Sequence, residues 1–121
     1  MRVVIPCEDD RCLQSMRSGH FGHAPWLTVV DLDDNNQPMS VQAVKNADHD
    51  VAGCAGVIQH VMALNADAII TAGMGMPPLM RFTQAGVVVY ADRVTPVVGD
   101  VLAKFVNGDV VRMSPDDACR H

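Results

Sequence analysis

Apolar residues are distributed along this chain in two ways. Short runs rich in β-branched residues occur at Arg2–Cys7 (RVVIPC), 25–31 (PWLTVVD), 39–44 (MSVQAV), Ala68–Thr71 (AIIT) and 87–90 (VVVY). Runs of that length and composition predict five strands, and the first, fourth and fifth read as buried ones. Elsewhere apolar positions recur every three or four residues. Cys54, Val57, Ile58, Val61 and Met62 follow the stripe of an amphipathic helix, with Asp48 or Asp50 as its cap. Residues 77–85 predict a second helix that starts at proline and stops at Gly86. Val98, Val101, Leu102 and Phe105 predict a third, with Thr95 as N-cap, Pro96 at its first position and Gly108 past its end. Asp33-Asp34-Asn35-Asn36-Gln37 is turn chemistry, so strands two and three form a hairpin. Residues 109–113 suit a short extra strand, and 114–121 read as a loose tail.

The order β-β-β-α-β-α-β-α implies an α/β fold. A hairpin meander followed by two right-handed crossovers gives a five-stranded mixed sheet with three helices. With strand one beside strand four, the order is 3-2-1-4-5 with strand two antiparallel, a ribonuclease H-like arrangement. Strands one, three, four and five then point their carboxyl ends at one rim, where residues 7–25, 46–53, 73–78 and 91–95 meet. All three helix N-termini open there too, and their N–H groups and partial positive charge favour an anion.

Charge and composition narrow the choice of partner. The 121 residues suffice for one domain, expected over 1–113, with a tail at 114–121. A net charge of −5 argues against nucleic acid, because phosphate neutralisation needs a basic surface. No apolar run approaches the ~20 residues of a bilayer span. The first apolar run breaks into Glu8-Asp9-Asp10, unlike a signal peptide, so a cytoplasmic protein without a membrane partner is expected. Cys7, Cys12, Cys54 and Cys119 contain no C-x-x-C, a poor match to zinc or thioredoxin spacings, and reduced thiols are expected.

Two glycine-bearing segments carry candidate chemistry. Ser18-Gly19-His20-Phe21-Gly22-His23 ends a polar loop that is long for a compact domain. Two histidines three apart can ligate a metal or donate to an anion; the spacing equally fits a loop with solvated histidines. Gly73-Met74-Gly75-Met76, followed by Pro77-Pro78, makes a turn outside the carboxyl end of a buried strand, where open α/β sheets bind ligands. It is not a complete phosphate loop. Its methionines either offer soft sulfur to a sulfide-bearing or Cu(I) species or pack in the core.

Other chemistries are poorer fits. Cys7 and Cys54 are either inert buried thiols or reactive ones, which leaves a thiol-dependent redox protein or enzyme as an alternative. A metal-free protein-interaction module is another. His60 falls off the apolar stripe of helix one and reads as a solvated residue. A ribonuclease H-type nuclease needs metal-binding acids beginning on strand one, and neither Val3-Val4-Ile5-Pro6-Cys7 nor residues 68–72 supply one. No serine nucleophile elbow is present.

His20-Phe21-Gly22 ahead of a strand, the His/Cys/Gly segment 49–56 opening helix one, and GMG followed by LMRFTQAGVVVY together carry a resemblance. Over residues 1–108 the chain resembles the dinitrogenase iron–molybdenum cofactor biosynthesis family, which includes NifX-like carriers and the C-terminal domain of NifB. Within that family its size and Met-rich rim are most similar to the orange-protein branch. The resemblance implies a ribonuclease H-like, non-enzymatic protein that binds a preformed metal–sulfur cluster non-covalently and carries or stores it. The implied cargo is a molybdenum–copper sulfide cluster or, alternatively, an iron–molybdenum–sulfur cluster, exchanged with donor and acceptor proteins. Expected contacts are His20, Phe21, Gly22 and His23 from one side and Gly73, Met74, Gly75, Met76 and Pro77 from the other. His20 and His23 are the expected metal ligands, and Trp26 and Arg93 the outer contacts. His23, where many relatives have a basic or small residue, and the long 8–19 loop depart from the family pattern.

Overall fold

The structure, a computed structural model, describes residues 1–19, 21–47 and 49–114, with residues 49–55 described by backbone course alone. Among the described residues, six strands form one mixed sheet in the order β3-β2-β1-β4-β5-β6. They are β1 (Arg2–Cys7), β2 (Trp26–Leu32), β3 (Pro38–Lys45), β4 (Ala68–Thr71), β5 (Val88–Ala91) and β6 (Val111–Arg112). Helices α1 (His49–Met62), α2 (Met76–Gln84) and α3 (Val98–Val106) complete the expected order. β2 is antiparallel to β1 and β3, while β1, β4 and β5 are parallel. The sheet has one strand more than the five expected, because residues 111–112 pair antiparallel with Tyr90 and Ala91 at the edge.

Alternation along the strands divides the core into two layers. Val4, Val29, Ile69 and Val89 face α1 and α2, packing with Val57, Ile58, Val61, Leu79 and Phe82. Val3, Ile5, Val30 and Ile70 face α3, packing with Val98, Val101 and Leu102. Gly86 (φ 86°) and Gly108 (φ 79°) take the left-handed conformation just past α2 and α3. There, Val87 N–H reaches Phe82 O at 2.9 Å and Asp109 N–H reaches Lys104 O at 2.8 Å, closing both helices with Schellman bonds.

α3 starts later than Thr95-Pro96 suggested, at Val98 with Val97 as N-cap. Thr95 is engaged elsewhere: its N–H and hydroxyl both donate to Asp92, at 2.9 and 3.0 Å. α2 starts one residue earlier than expected, at Met76, with Gly75 as N-cap.

The 8–19 loop is an ordered strap. β1 pairs with β4 only through Val3 and Val4, although β4 continues to Thr71, so the last residues of β1 have no ladder partner on that side. The strap supplies the missing partner: Ser18 N–H donates to Pro6 O at 3.0 Å, and Arg17 bridges Cys7 antiparallel. The same segment reaches past the end of β4 to the β5–α3 loop, where Met16 bridges Val97 and Arg17 N–H donates to Pro96 O at 2.7 Å. Ser15 O accepts the Val98 N–H at 3.0 Å and so caps α3. Buried backbone groups need such partners, which is why a polar stretch holds one shape.

Close packing of the strap on α3 depends on Gly99, where a Cβ would stand 2.9 Å from Leu13 O. Gly99→Ala is expected to destabilise the protein by about 1–3 kcal/mol, lowering the melting temperature by several degrees. Gly19→Ala, with no atom within 4 Å of the added carbon, should leave it nearly unchanged. Equal melting temperatures for the two variants would contradict this account of the strap.

Candidate functional site

The strap delivers Phe21 to the glycine turn after β4. Phe21 N–H donates to Gly73 O at 3.2 Å, and the Phe21 ring stands edge-on to Phe82 of α2, centroids 5.4 Å apart. The Thr71 hydroxyl also donates to Gly73 O, at 3.0 Å, so the turn is pinned from two directions. The two segments expected to form the site therefore meet. Gly22 is half-buried and His23 exposed beside them; His20 lies outside the described residues.

The Gly-Met-Gly-Met turn divides its methionines. Met74 is 2% exposed and packs with Phe21, Leu79 and Phe82, so its sulfur belongs to the core rather than the rim. Met76 is 37% exposed at the start of α2, followed by exposed Pro77 and buried Pro78. Gly75 has ordinary extended geometry (φ −68°, ψ 163°), and an added Cβ would meet only proline carbons at 3.7 Å or more. Nothing in the fold requires glycine there.

This rim holds fewer backbone donors than helix starts normally provide. Pro77 and Pro78 carry no N–H, so α2 lacks two of its first-turn donors while keeping its dipole. α3 is closed by the strap, contrary to the expectation that all three helix starts are open. Trp26 is also displaced from its expected role: it packs against the α3-side core, on the other face of the sheet from Leu27 and Phe21. Strand alternation forces this, since Leu27 takes the α1/α2 face. Arg93 is exposed on the loop after β5. Among the described residues, no three His, Cys, Asp or Glu side chains gather as a metal site.

The Cys7 thiol is not arranged for reactivity. Cys7 is fully buried; burial raises its pKa, outweighing hydrogen bonds with Thr28 (3.2 Å) and to Asp9 O (3.3 Å). A protonated, enclosed thiol is a poor nucleophile. The side chain of Cys54 lies outside the described residues. His60, read as solvated, is half-buried, its Nε2 2.9 Å from Lys45 O.

The sequence pattern of the dinitrogenase iron–molybdenum cofactor family matches residues 1–108. The chain belongs to this family. Its fold is similar to the crystal structure of PH0822, with a TM-score of 0.78 and 27% identity over 93% of this chain and 96% of that one. It is similar to the apo form of the orange protein from Desulfovibrio gigas, with a TM-score of 0.75 and 19% identity over 93% and 92% of the two chains. A NifB-like protein from Thermotoga gives 0.70 and 22% over 92% and 91%. No curated protein matches the chain by sequence. Membership supports a cofactor-binding or carrier role, and no helix among the described residues is long and apolar enough to cross a membrane.

One residue that organises the rim escaped the sequence reading. Asp92, 7% exposed, accepts N–H bonds from Val94 and Thr95, both at 2.9 Å, and the Thr95 hydroxyl. Lys104 Nζ lies 3.3 Å from it and 3.0 Å from Thr95 Oγ1. The D-x-x-T spacing was the available signal, an Asx turn rather than a helix cap. Burial pushes the Asp92 pKa upward, but these hydrogen bonds outweigh it and hold the carboxylate below its ordinary range.

A depressed folded pKa stabilises the fold above the unfolded value, about 3.9, and that contribution fades as pH falls through the folded value. Asp92→Asn is therefore expected to cost about 1–3 kcal/mol at neutral pH, with the gap to the unaltered protein narrowing below about pH 4. Denaturant titrations at several pH values test this; a gap that stays constant into acid would show that the carboxylate charge contributes nothing.

Proposed function

We propose that this protein binds a preformed, anionic metal–sulfur cluster at the rim where residues 21–23 meet 73–77, and carries or stores it without turning it over. The observation that carries this reading is Gly75: a glycine that neither backbone geometry nor packing requires, in a turn fixed by Phe21. Family membership supports the class of cargo. A cluster that brings its own sulfides needs few protein ligands, which agrees with the sparse donor set of the rim. Prolines, an exposed methionine and a helix dipole suit a bulky, soft, weakly hydrated anion better than phosphate, which calls for several convergent N–H groups.

Within this reading His20 and His23 are the side chains that donate to or ligate the cluster, with Gly22, Gly73, Gly75, Met76 and Pro77 as its walls. Met74 contributes only backbone and Arg93 is an outer cation. A molybdenum–copper sulfide is the first candidate cargo and an iron–molybdenum–sulfur cluster the second. The open rim leaves the cargo accessible to proteins that deliver or receive it.

Metal-free protein treated with tetrathiomolybdate and copper, then desalted, should retain a visible chromophore at a fixed metal-to-protein ratio. Failure to retain either this cluster or an iron–molybdenum–sulfur cluster would overturn the reading in favour of a metal-free interaction module.

Two variants separate binding from folding. Gly75→Ser has room for its Cβ and gains no cap bond, since the second and third helical positions are Pro77 and Pro78, so its stability should stay within about 0.5 kcal/mol of the unaltered protein, yet retention should fall about tenfold or more by occlusion. The double variant His20→Ala/His23→Ala should fold and lose the chromophore; undiminished retention would remove the histidines from the account.

A further inference from the structure

With two first-turn donors of α2 missing and the first N–H of α3 taken by Ser15, these two helix starts offer an anion few backbone donors, in a chain whose net charge is −5. The arginines there differ. Arg11 is exposed and paired with Asp9 at 2.8 Å. Arg93 is exposed on its loop. Arg17 is half-buried, and its backbone is held on both sides, by the bridge to Cys7 and by Pro96 O.

Its guanidinium is aimed by carbonyls: Nε donates to Thr95 O at 2.8 Å and Nη1 to Ser18 O at 3.4 Å. No carboxylate pairs with it, and Nη2 has no partner, among the described residues. Among those residues nothing neutralises this half-buried cation, and its remaining donors are available to an anion.

We infer that Arg17 is a ligand-contacting cation of the rim, presenting Nη2 to the anionic cluster; this rests on the carrier reading above. The strap sets its position, crossing the end of β4 from β1 to the β5–α3 loop. Guanidinium is planar, always charged and weakly hydrated, a better match than ammonium to a large sulfide-rich anion. Arg17 thereby takes over part of the role that backbone amides play at other helix starts.

Uptake of tetrathiomolybdate with copper is compared for the unaltered protein, Arg17→Gln, Arg17→Lys and Arg11→Gln at low and high salt. Retention by the unaltered protein should weaken with salt. Arg17→Gln should bind about tenfold more weakly and with less salt dependence, Arg17→Lys should fall between, and Arg11→Gln should match the unaltered protein. Melting temperatures are recorded alongside, because loss of the Thr95 contact alone would lower stability without changing the salt dependence. Binding by Arg17→Gln with unchanged affinity and salt dependence, while the unaltered protein binds, would overturn this assignment alone. No uptake by any of the four would overturn the carrier reading together with it.

Discussion

One backbone hydrogen bond, from Phe21 N–H to Gly73 O, joins the two halves of the rim. It can form because the β1–β4 ladder stops at Val4 and the strap pairs with the freed end of β1, and because the buried Phe21 ring is fixed against Phe82. Between them, the strap's end and the glycine turn have little freedom left. A ligand site built from loops gains definition when the loops hold one another, since less ordering is then left for the ligand to bring about. Asp92 does the same for the neighbouring loop, and through Thr95 O it fixes where Arg17 can point.

The chemistry of this rim follows from what its residues leave out. Two prolines delete N–H groups that would favour a hard, strongly hydrated oxyanion, and no three conventional metal ligands gather among the described residues. Helix polarity, an aimed guanidinium, apolar ring carbons and an exposed thioether remain. Under the carrier function proposed above, such a surface selects by softness and size more than by counted coordination bonds, and lets the cargo be released intact.

The strands and helices were legible because their hydrophobic periods are local, and the order of the first five strands followed from the hairpin and the handedness of the crossovers. The meeting of Phe21 with Gly73 was legible in the same way, as carboxyl-end loops of neighbouring strands. What escaped reading depends on partners far away in the chain. Residues 15–18 have no strand pattern and are held by the freed end of β1 and by the β5–α3 loop. Thr95-Pro96 carries a good helix-start signal, overridden by Asp92. Met74 and Met76 have identical spacing to their glycines, and only the packing of Phe21 and Leu79 decides that one turns inward. Arg17 carried no local signal at all.

The central claim is that the Phe21–Gly73 junction is where the cargo sits. The most direct measurement is an amide chemical-shift map of the isotope-labelled protein with and without the bound cluster. The account predicts that Phe21, Gly22, Gly73, Met74, Gly75 and Met76 shift together while the distant edge strand β3 stays unmoved. Shifts centred instead on the cleft at the opposite end of the sheet, where Tyr90, Phe105 and Arg112 meet Met1, would contradict it.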